Sequence, residues 1–286
     1  MWIGRLELQL EQVGARTVIA RRRHQGPLLV QRAFHEQDGG SQVYLIHPPG
    51  GVVGGDQLRL EAELGPAARA LLTTPAATKI YRSRSETAEL TQHCRLGDGA
   101  ILELFPQETI LYDGARARSS THVSLGAGSQ FLGWDVLCLG RDAHGFSEGC
   151  FAQHWRLERQ GRLLWSERSL LKGGSAVLRA PWGLAGRPVL GTLVCTGAER
   201  VSLEALRLAL GAPVAASGGE TETIPEVAFP APDADWQSVT RLGEVLVCRY
   251  LGYSAEAAKR SFSAVWAILR PTVSGRKAVP PRVWAT

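Results

Sequence analysis

No two cysteines in this 286-residue chain are spaced C-x-x-C, and their total of five, at positions 94, 138, 150, 195 and 248, is odd. Neither a zinc ribbon nor a redox dithiol is indicated, and the wide spacing suits free thiols in a reducing, cytoplasmic compartment. No apolar run approaches the roughly 20 residues that span a bilayer. Met1-Trp2-Ile3-Gly4-Arg5 also lacks the basic start and apolar stretch of a secretion signal. The motifs G-x-S-x-G, H-E-x-x-H, G-x-x-x-x-G-K-[ST] and post-strand G-x-G-x-x-G are all missing, which removes the commonest hydrolase, metalloprotease and nucleotide-binding signatures. The seven histidines (24, 35, 47, 93, 122, 144 and 154) are scattered, so no stable metal site is expected. His93 and Cys94 are adjacent, but strand alternation sends such neighbours to opposite faces.

What the chain does have is enough apolar material for a core. Hydrophobic residues make up 44% and charged residues 21%, ordinary for a globular protein. At this length roughly three quarters of the unfolded surface can be buried in one large or two small domains. The net charge of +5 suits an acidic partner surface. Nucleic acid is a poor fit, because the arginines are dispersed and no basic stretch is interleaved with aromatics. The one dense run, Arg21-Arg22-Arg23, reads as a solvated strand end or turn.

The pattern over residues 1–180 is that of many short strands. Arg5 to Glu11 alternates polar and apolar residues, and in Leu58 to Leu64 the residues Leu58, Leu60, Ala62 and Leu64 share one face. Similar runs recur at Leu28 to Ala33, Val43 to Ile46, Ala70 to Thr74, Thr87 to Cys94, Ala100 to Phe105, Thr121 to Leu125, Gln130 to Leu139 and Phe151 to Arg159. Glycine-rich punctuation separates them, as at Gly97-Asp98-Gly99 and Gly126-Ala127-Gly128. The connections are too short for α/β crossover helices, so a sandwich, barrel or stacked β-structure is expected.

Two helices are predicted. Ser202 caps a segment running to Leu210 that Gly211 and Pro213 end, and Ser254 caps a second near 255–270 that Pro271 stops. In the second, Ala258, Phe262, Val265, Trp266 and Leu269 form one apolar stripe. Ala212 to Asp235 reads as a loop and Leu242 to Tyr250 as a buried strand. The predicted fold is a single mainly β domain over 1–286, with stacked short strands, β-helical or sandwich-like, mostly within 1–200, and two helices of the C-terminal half packed on them.

The densest motif is His47-Pro48-Pro49-Gly50-Gly51-Val52-Val53-Gly54-Gly55-Asp56. The prolines force an extended path, the glycines permit close backbone approach, and Asp56 can cap the resulting turn. A phosphate cradle is disfavoured because no Lys, Ser or Thr follows and no helix begins.

That stretch resembles a signature of the urease accessory protein UreD (UreH) family. So does Thr73-Thr74-Pro75-Ala76-Ala77-Thr78-Lys79-Ile80-Tyr81-Arg82-Ser83, and Pro106 to Ala115 is similar to the family's central segment. Arg249-Tyr250-Leu251-Gly252, Trp266, Leu269-Arg270-Pro271 and Pro281 to Thr286 match its closing pattern. The departures are small: Ala267 stands where a Pro is expected, and Val283 where Ile is common.

The resemblance implies a non-enzymatic scaffold in urease maturation that binds urease apoprotein on one side and UreF on the other, with UreG recruited through UreF. It implies a homodimer within that accessory complex, a mainly β fold, no tightly bound cofactor, and transient Ni²⁺ carried along an internal passage. Such a passage needs spaced acids and hydroxyls that bind weakly enough to release. Asp56, Thr73, Thr74, Glu108, Asp113, Asp135 and Glu167 are the candidates, with Asp56 and Thr74 foremost. Arg249, Tyr250, Arg270, Arg282 and Trp284 combine cations with aromatics and are the candidate partner contacts. The alternative is a carbohydrate-active enzyme or sugar-binding module, for which Glu103 with Glu108, or Asp135 with Glu167, are the nominated carboxylate pairs.

Overall fold

A computed structural model describes residues 1–140, 145–211 and 234–285. His144, Thr286 and most of the loop expected over 212–235 lie outside the described residues.

Two strands open the chain, β1 (Ile3–Val13) and β2 (Arg16–Gln25), followed by the short β3 (Leu29–Val30) and β4 (Phe34–His35) and by β5 (Ser41–Ile46). Next come β6 (Gln57–Leu64), β7 (Arg69–Thr73), β8 (Thr78–Ile80), β9 (Ala88–Leu96), β10 (Ile101–Phe105) and β11 (Thr109–Leu111). The long strands β12 (Arg116–Leu125), β13 (Gln130–Leu139), β14 (Cys150–Arg159) and β15 (Arg162–Lys172) lead to a one-turn helix, α1 (Ala176–Arg179). The chain continues through β16 (Val189–Thr196), α2 (Leu203–Leu210), β17 (Trp236–Leu242), β18 (Val245–Gly252) and α3 (Ala255–Ser274), and a 3-10 turn covers Arg282–Ala285.

The strands form a seven-stranded sheet, β15-β14-β12-β9-β6-β1-β2, and an eleven-stranded one whose main path is β17-β18-β16-β13-β10-β7-β5-β3. Consecutive strands alternate between them: β6 lies in the first, β7 in the second, β9 in the first and β10 in the second. Each circuit therefore stacks on the one before, with β6, β9, β12 and β14 parallel on one side and β7, β10 and β13 parallel on the other. This resolves the short connections, because the crossover between parallel neighbours is itself a strand of the opposite sheet rather than a helix. The mainly β, stacked prediction holds. Both β1 and β6 bury the side that alternation assigns, with Leu6, Leu8 and Leu10 facing Leu60, Ala62 and Leu64 across a parallel register.

Departures from the prediction have physical causes. The run Leu28 to Ala33 yields only the two residues of β3. Arg21 to Arg23 lie on the solvent-exposed outer strand β2, as a solvated charge run should. Pro271 does not stop α3, which runs on to Ser274 and closes at Gly275 with φ of 69°. Proline removes one intrahelical bond and crowds the carbonyl four residues back. Here that carbonyl belongs to Ala267; both residues are solvent-exposed, so water can accept the loss. Gly275 N then donates to Pro271 O at 2.9 Å, and Ser274 Oγ to Arg270 O at 2.7 Å. The predicted N-caps are present: Ser202 accepts from Ala205 N and Ser254 from Ala257 N.

The predicted stripe on α3 is buried against β13, β16 and β18. Beside it runs a buried ion network. Arg270, 1% exposed, donates through Nε and Nη2 to Glu103 Oε2 at 3.1 and 2.9 Å, through Nη2 to both Glu36 oxygens at 3.0 Å, and through Nη1 to Lys277 O at 2.6 Å. Trp266 Nε1 takes the other Glu103 oxygen at 2.6 Å, and Arg276 pairs with Glu36 and Asp38. The Arg276 hydrogen bond holds the Asp38 carboxyl below its usual range, against the opposing effect of burial. Removing one member of a buried pair strands the other charge, at a cost of about 3–5 kcal/mol. Arg270→Ala is therefore expected to lose stability of about that size in urea unfolding. A loss under about 1 kcal/mol would show the network to be dispensable.

Candidate functional site

Between the sheets lies a cavity of about 260 Å³. One wall is formed by inward residues of β6, β9, β12 and β14, including Leu60, Gln92, Thr121 and Trp155. The other holds Leu104, Trp134 and Asp135 with the segment Thr74 to Lys79, and His47, Pro49, Gly50 and Gly51 stand at its edge. Polar groups interrupt what alternation would make a greasy interior. Among the described residues Gln92 Oε1 and Trp155 Nε1 have no hydrogen-bond partner, and a polar hollow of this size accommodates the water that such groups require.

Among the described residues Asp135 is the one carboxylate on the cavity wall. Burial pushes its carboxyl up to about 6, partly opposed by the amide hydrogen bond from Gln153. Thr74 also reaches the cavity, while its Oγ1 accepts from Gln107 N at 2.8 Å. Burial also lowers the His47 imidazole below its ordinary range, with the charge of Asp56 opposing that shift.

The other acids and hydroxyls predicted for a passage lie elsewhere, each engaged by the protein. Asp56 is buried and caps the Pro/Gly motif, accepting from Trp2 N at 2.8 Å and Val53 N at 3.0 Å. Two of the glycines before it are required: a Cβ on Gly51 would lie 2.4 Å from the Tyr81 ring, and Gly55 has φ of 87°. Thr73 is fully buried and donates to Phe105 O at 2.6 Å. Glu108 pairs with Lys259 at 2.7 Å. Asp113 accepts from Ser147 N, Glu148 N and Ser147 Oγ at 2.7–3.0 Å and from Arg82 at 2.8 Å. Burial would raise its carboxyl, but these bonds and the Arg82 charge bring it below the usual range. Glu167 forms a two-pronged pair with Arg249, whose Nη1 also reaches Thr192 Oγ1 at 2.7 Å. Each nominated carboxylate has a partner of its own: Glu103 in the Arg270 network, Glu108 with Lys259, Asp135 with the Gln153 amide and Glu167 with Arg249.

Residues 3–285 match the family described as UreD urease accessory protein. The chain belongs to the UreD family. It is 42% identical over 288 residues to the urease accessory protein UreD of Azoarcus sp. (strain BH72), covering 100% of this chain and 94% of that one. With the UreD of Dechloromonas aromatica (strain RCB) the identity is 42% over 289 residues, covering 100% and 95%. With urease accessory protein UreD 2 of Brucella anthropi it is 41% over 291 residues, covering 100% and 98%.

The C-terminal motif that resembles the UreD closing pattern folds back onto the body. Tyr250 is 2% exposed and donates to Asp235 Oδ2 at 2.7 Å, and Arg270 is the centre of the ion network. Burial removes these two candidate partner contacts from the surface. Trp284 packs against Phe105, Trp134 and Trp266 at ring separations of 5.2–5.9 Å, and its Nε1 donates to Thr73 Oγ1 at 2.9 Å. Arg249 is half-exposed within its ion pair, and Arg282 is exposed. All five cysteines are unpaired, and no helix among the described residues is long and apolar enough to cross a membrane.

The cavity carboxyl has a testable signature. Its folded-state value of about 6 lies above the ordinary 3.8, so the native fold favours the protonated form. That contribution is complete below about pH 4 and is lost as pH rises through 6, leaving a cost of roughly 2–3 kcal/mol at neutral pH. Asp135→Asn, measured by thermal melts against wild type, is expected to be more stable at pH 7.5 and nearly equal at pH 4. Equal curves at both would show that Asp135 is solvated like a surface acid.

Proposed function

We propose that this chain is a non-enzymatic scaffold for urease maturation in the cytoplasm. It binds urease apoprotein and UreF, draws UreG in through UreF, and works as part of a complex in which two copies pair. The observation that carries the reading is the polar hollow between the sheets, combined with membership of a family of urease accessory proteins. One carboxylate, hydroxyls and an amide oxygen, with the His47 imidazole and Lys79 also on the lining, suit brief passage of a hydrated divalent cation and not its capture. Several convergent imidazoles or thiolates would hold Ni²⁺ instead. Asp135 and Thr74 are the wall groups assigned to that passage. The acids bound elsewhere by arginine, lysine or backbone N–H groups keep its frame rigid.

The test is co-expression of urease subunits, UreF and UreG with and without this chain, read by pull-down and urea hydrolysis. The expected outcome is co-purification of urease and UreF with the chain, and loss of most urease activity without it. Arg282→Glu, on the exposed C-terminal turn, is expected to weaken UreF capture at least tenfold. Undiminished urease activity in the absence of the chain would overturn the reading; undiminished UreF capture would remove Arg282 from the interface.

A further inference from the structure

A second hollow lies outside the sheets, an open cleft of about 620 Å³ where the starts of β12 and β14 meet the end of β15. Arg116, Cys150 and Lys172 are register partners across those three strands, so they share one face. Their sequence neighbours Ala117, Phe151 and Leu171 are buried, which turns the trio outward. Arg84, from the loop between β8 and β9, lines the same cleft. Its frame is well tied. Arg82 pairs with Asp113 at 2.8 Å and Glu148 at 3.2 Å, and Asp113 accepts from the backbone N–H groups of Ser147 and Glu148. Ser83 N donates to Gly114 O at 3.0 Å. The ends of two sequence motifs, Arg82-Ser83 and Asp113-Gly114, therefore meet here, away from the hollow between the sheets.

We infer that this cleft docks an acidic, extended segment of a partner protein. Charge is the first ground. Arg82 is taken up by Asp113 and Glu148, but among the described residues Arg84, Arg116 and Lys172 have no ion pair, so three of the four lining cations stand uncompensated. A guanidinium accepts a carboxylate in a two-pronged geometry that an ammonium cannot match. Size is the second ground. The volume is in the range that houses a ligand of drug size rather than a lone ion, and the cations are spread over it, which calls for several carboxylates on one chain. The third ground sets nucleotides and phosphates aside. Among the described residues no aromatic ring lines the cleft to stack a base. The N–H groups of Gly114, Cys150 and Gly173 are spent on Glu148 O, Ala115 O and Gly149 O, so they form no phosphate cradle. The net charge of +5 draws an acidic partner from a longer distance. The inference stands on the cleft alone and rests neither on the proposed passage nor on the identity of any partner.

Fluorescence anisotropy of a fluorescein-labelled octaglutamate peptide with the full chain tests it. Wild type is expected to bind octaglutamate and not octaserine, with affinity falling as salt rises. Arg84→Glu and Arg116→Glu are each expected to weaken binding at least tenfold, and the neutral variants Arg84→Gln and Arg116→Gln to weaken it less but measurably. Arg21→Glu makes the same change of charge on β2 and is expected to leave binding within twofold of wild type. Urea unfolding curves like wild type would show that the variants fold, and the neutral pair decides the matter if a charge reversal does not. The inference is overturned if wild type fails to bind octaglutamate, if Arg21→Glu costs as much as the cleft variants, or if inorganic phosphate displaces the labelled peptide as well as free octaglutamate does, which would give the cleft to a phosphate group instead.

Discussion

A guanidinium and a carboxylate, both almost without solvent contact, join positions 167 residues apart in the chain. Arg270 comes from the last helix, Glu103 from the middle of the stacked strands and Glu36 from the N-terminal segment, so one buried network fixes three remote parts of the molecule together. A buried ion pair is a costly way to gain stability, and apolar residues of equal volume often do as well. What it does supply here is register. A helix held by an apolar stripe alone can slide or rotate, whereas Arg270 with all three of its nitrogens bonded cannot move without stranding Glu103. Trp266 and Trp284 follow, because the first donates to the same carboxylate and the second packs edge-to-face against its ring and donates to Thr73.

That rigid buried framework permits an interior that is not fully packed elsewhere. The stacked circuits interdigitate Leu6, Leu10, Leu64 and Leu102 in one dense region. Where Gln92, Thr121 and Asp135 replace apolar residues, the sheets instead leave a polar hollow. A polar cavity inside a β-stack costs stability. It also leaves Asp135 poised near neutrality, where a carboxyl can exchange a proton for a cation at little cost. The free thiols give no comparable alternative, since burial drives Cys94, Cys138 and Cys248 up to about 12.

Much of the architecture was legible in residue order. Period-two alternation located β1 and β6, and serine before and glycine after marked the ends of α2. The parallel pairing was not legible, because which strands become neighbours depends on the circuit through the other sheet. Site assignments from residue type alone fared unevenly. Asp135 and Thr74 reach the cavity, but Asp113 and Glu167 are held by donors that arrive from 34 and 82 positions away, pairings that no local pattern encodes, and Asp56 adds a remote donor, Trp2 N, to the local turn cap that its motif does encode. Residues that reading missed did leave a signal: Gln92, Ser119 and Thr121 are polar at inward positions of strands whose remaining inward residues are apolar. Tyr250 and Arg270 had the composition of an interface, but composition cannot say which way a side chain faces.

The central claim is that the hollow between the sheets is a working route for a cation and not a packing flaw. Its most direct test is Thr121→Trp, which places an indole in the cavity, in complexes that still capture urease and UreF. The readout is nickel per urease active site, by elemental analysis of the purified enzyme. The account predicts assembled complexes that deliver little nickel. Full nickel occupancy with the cavity plugged would contradict it.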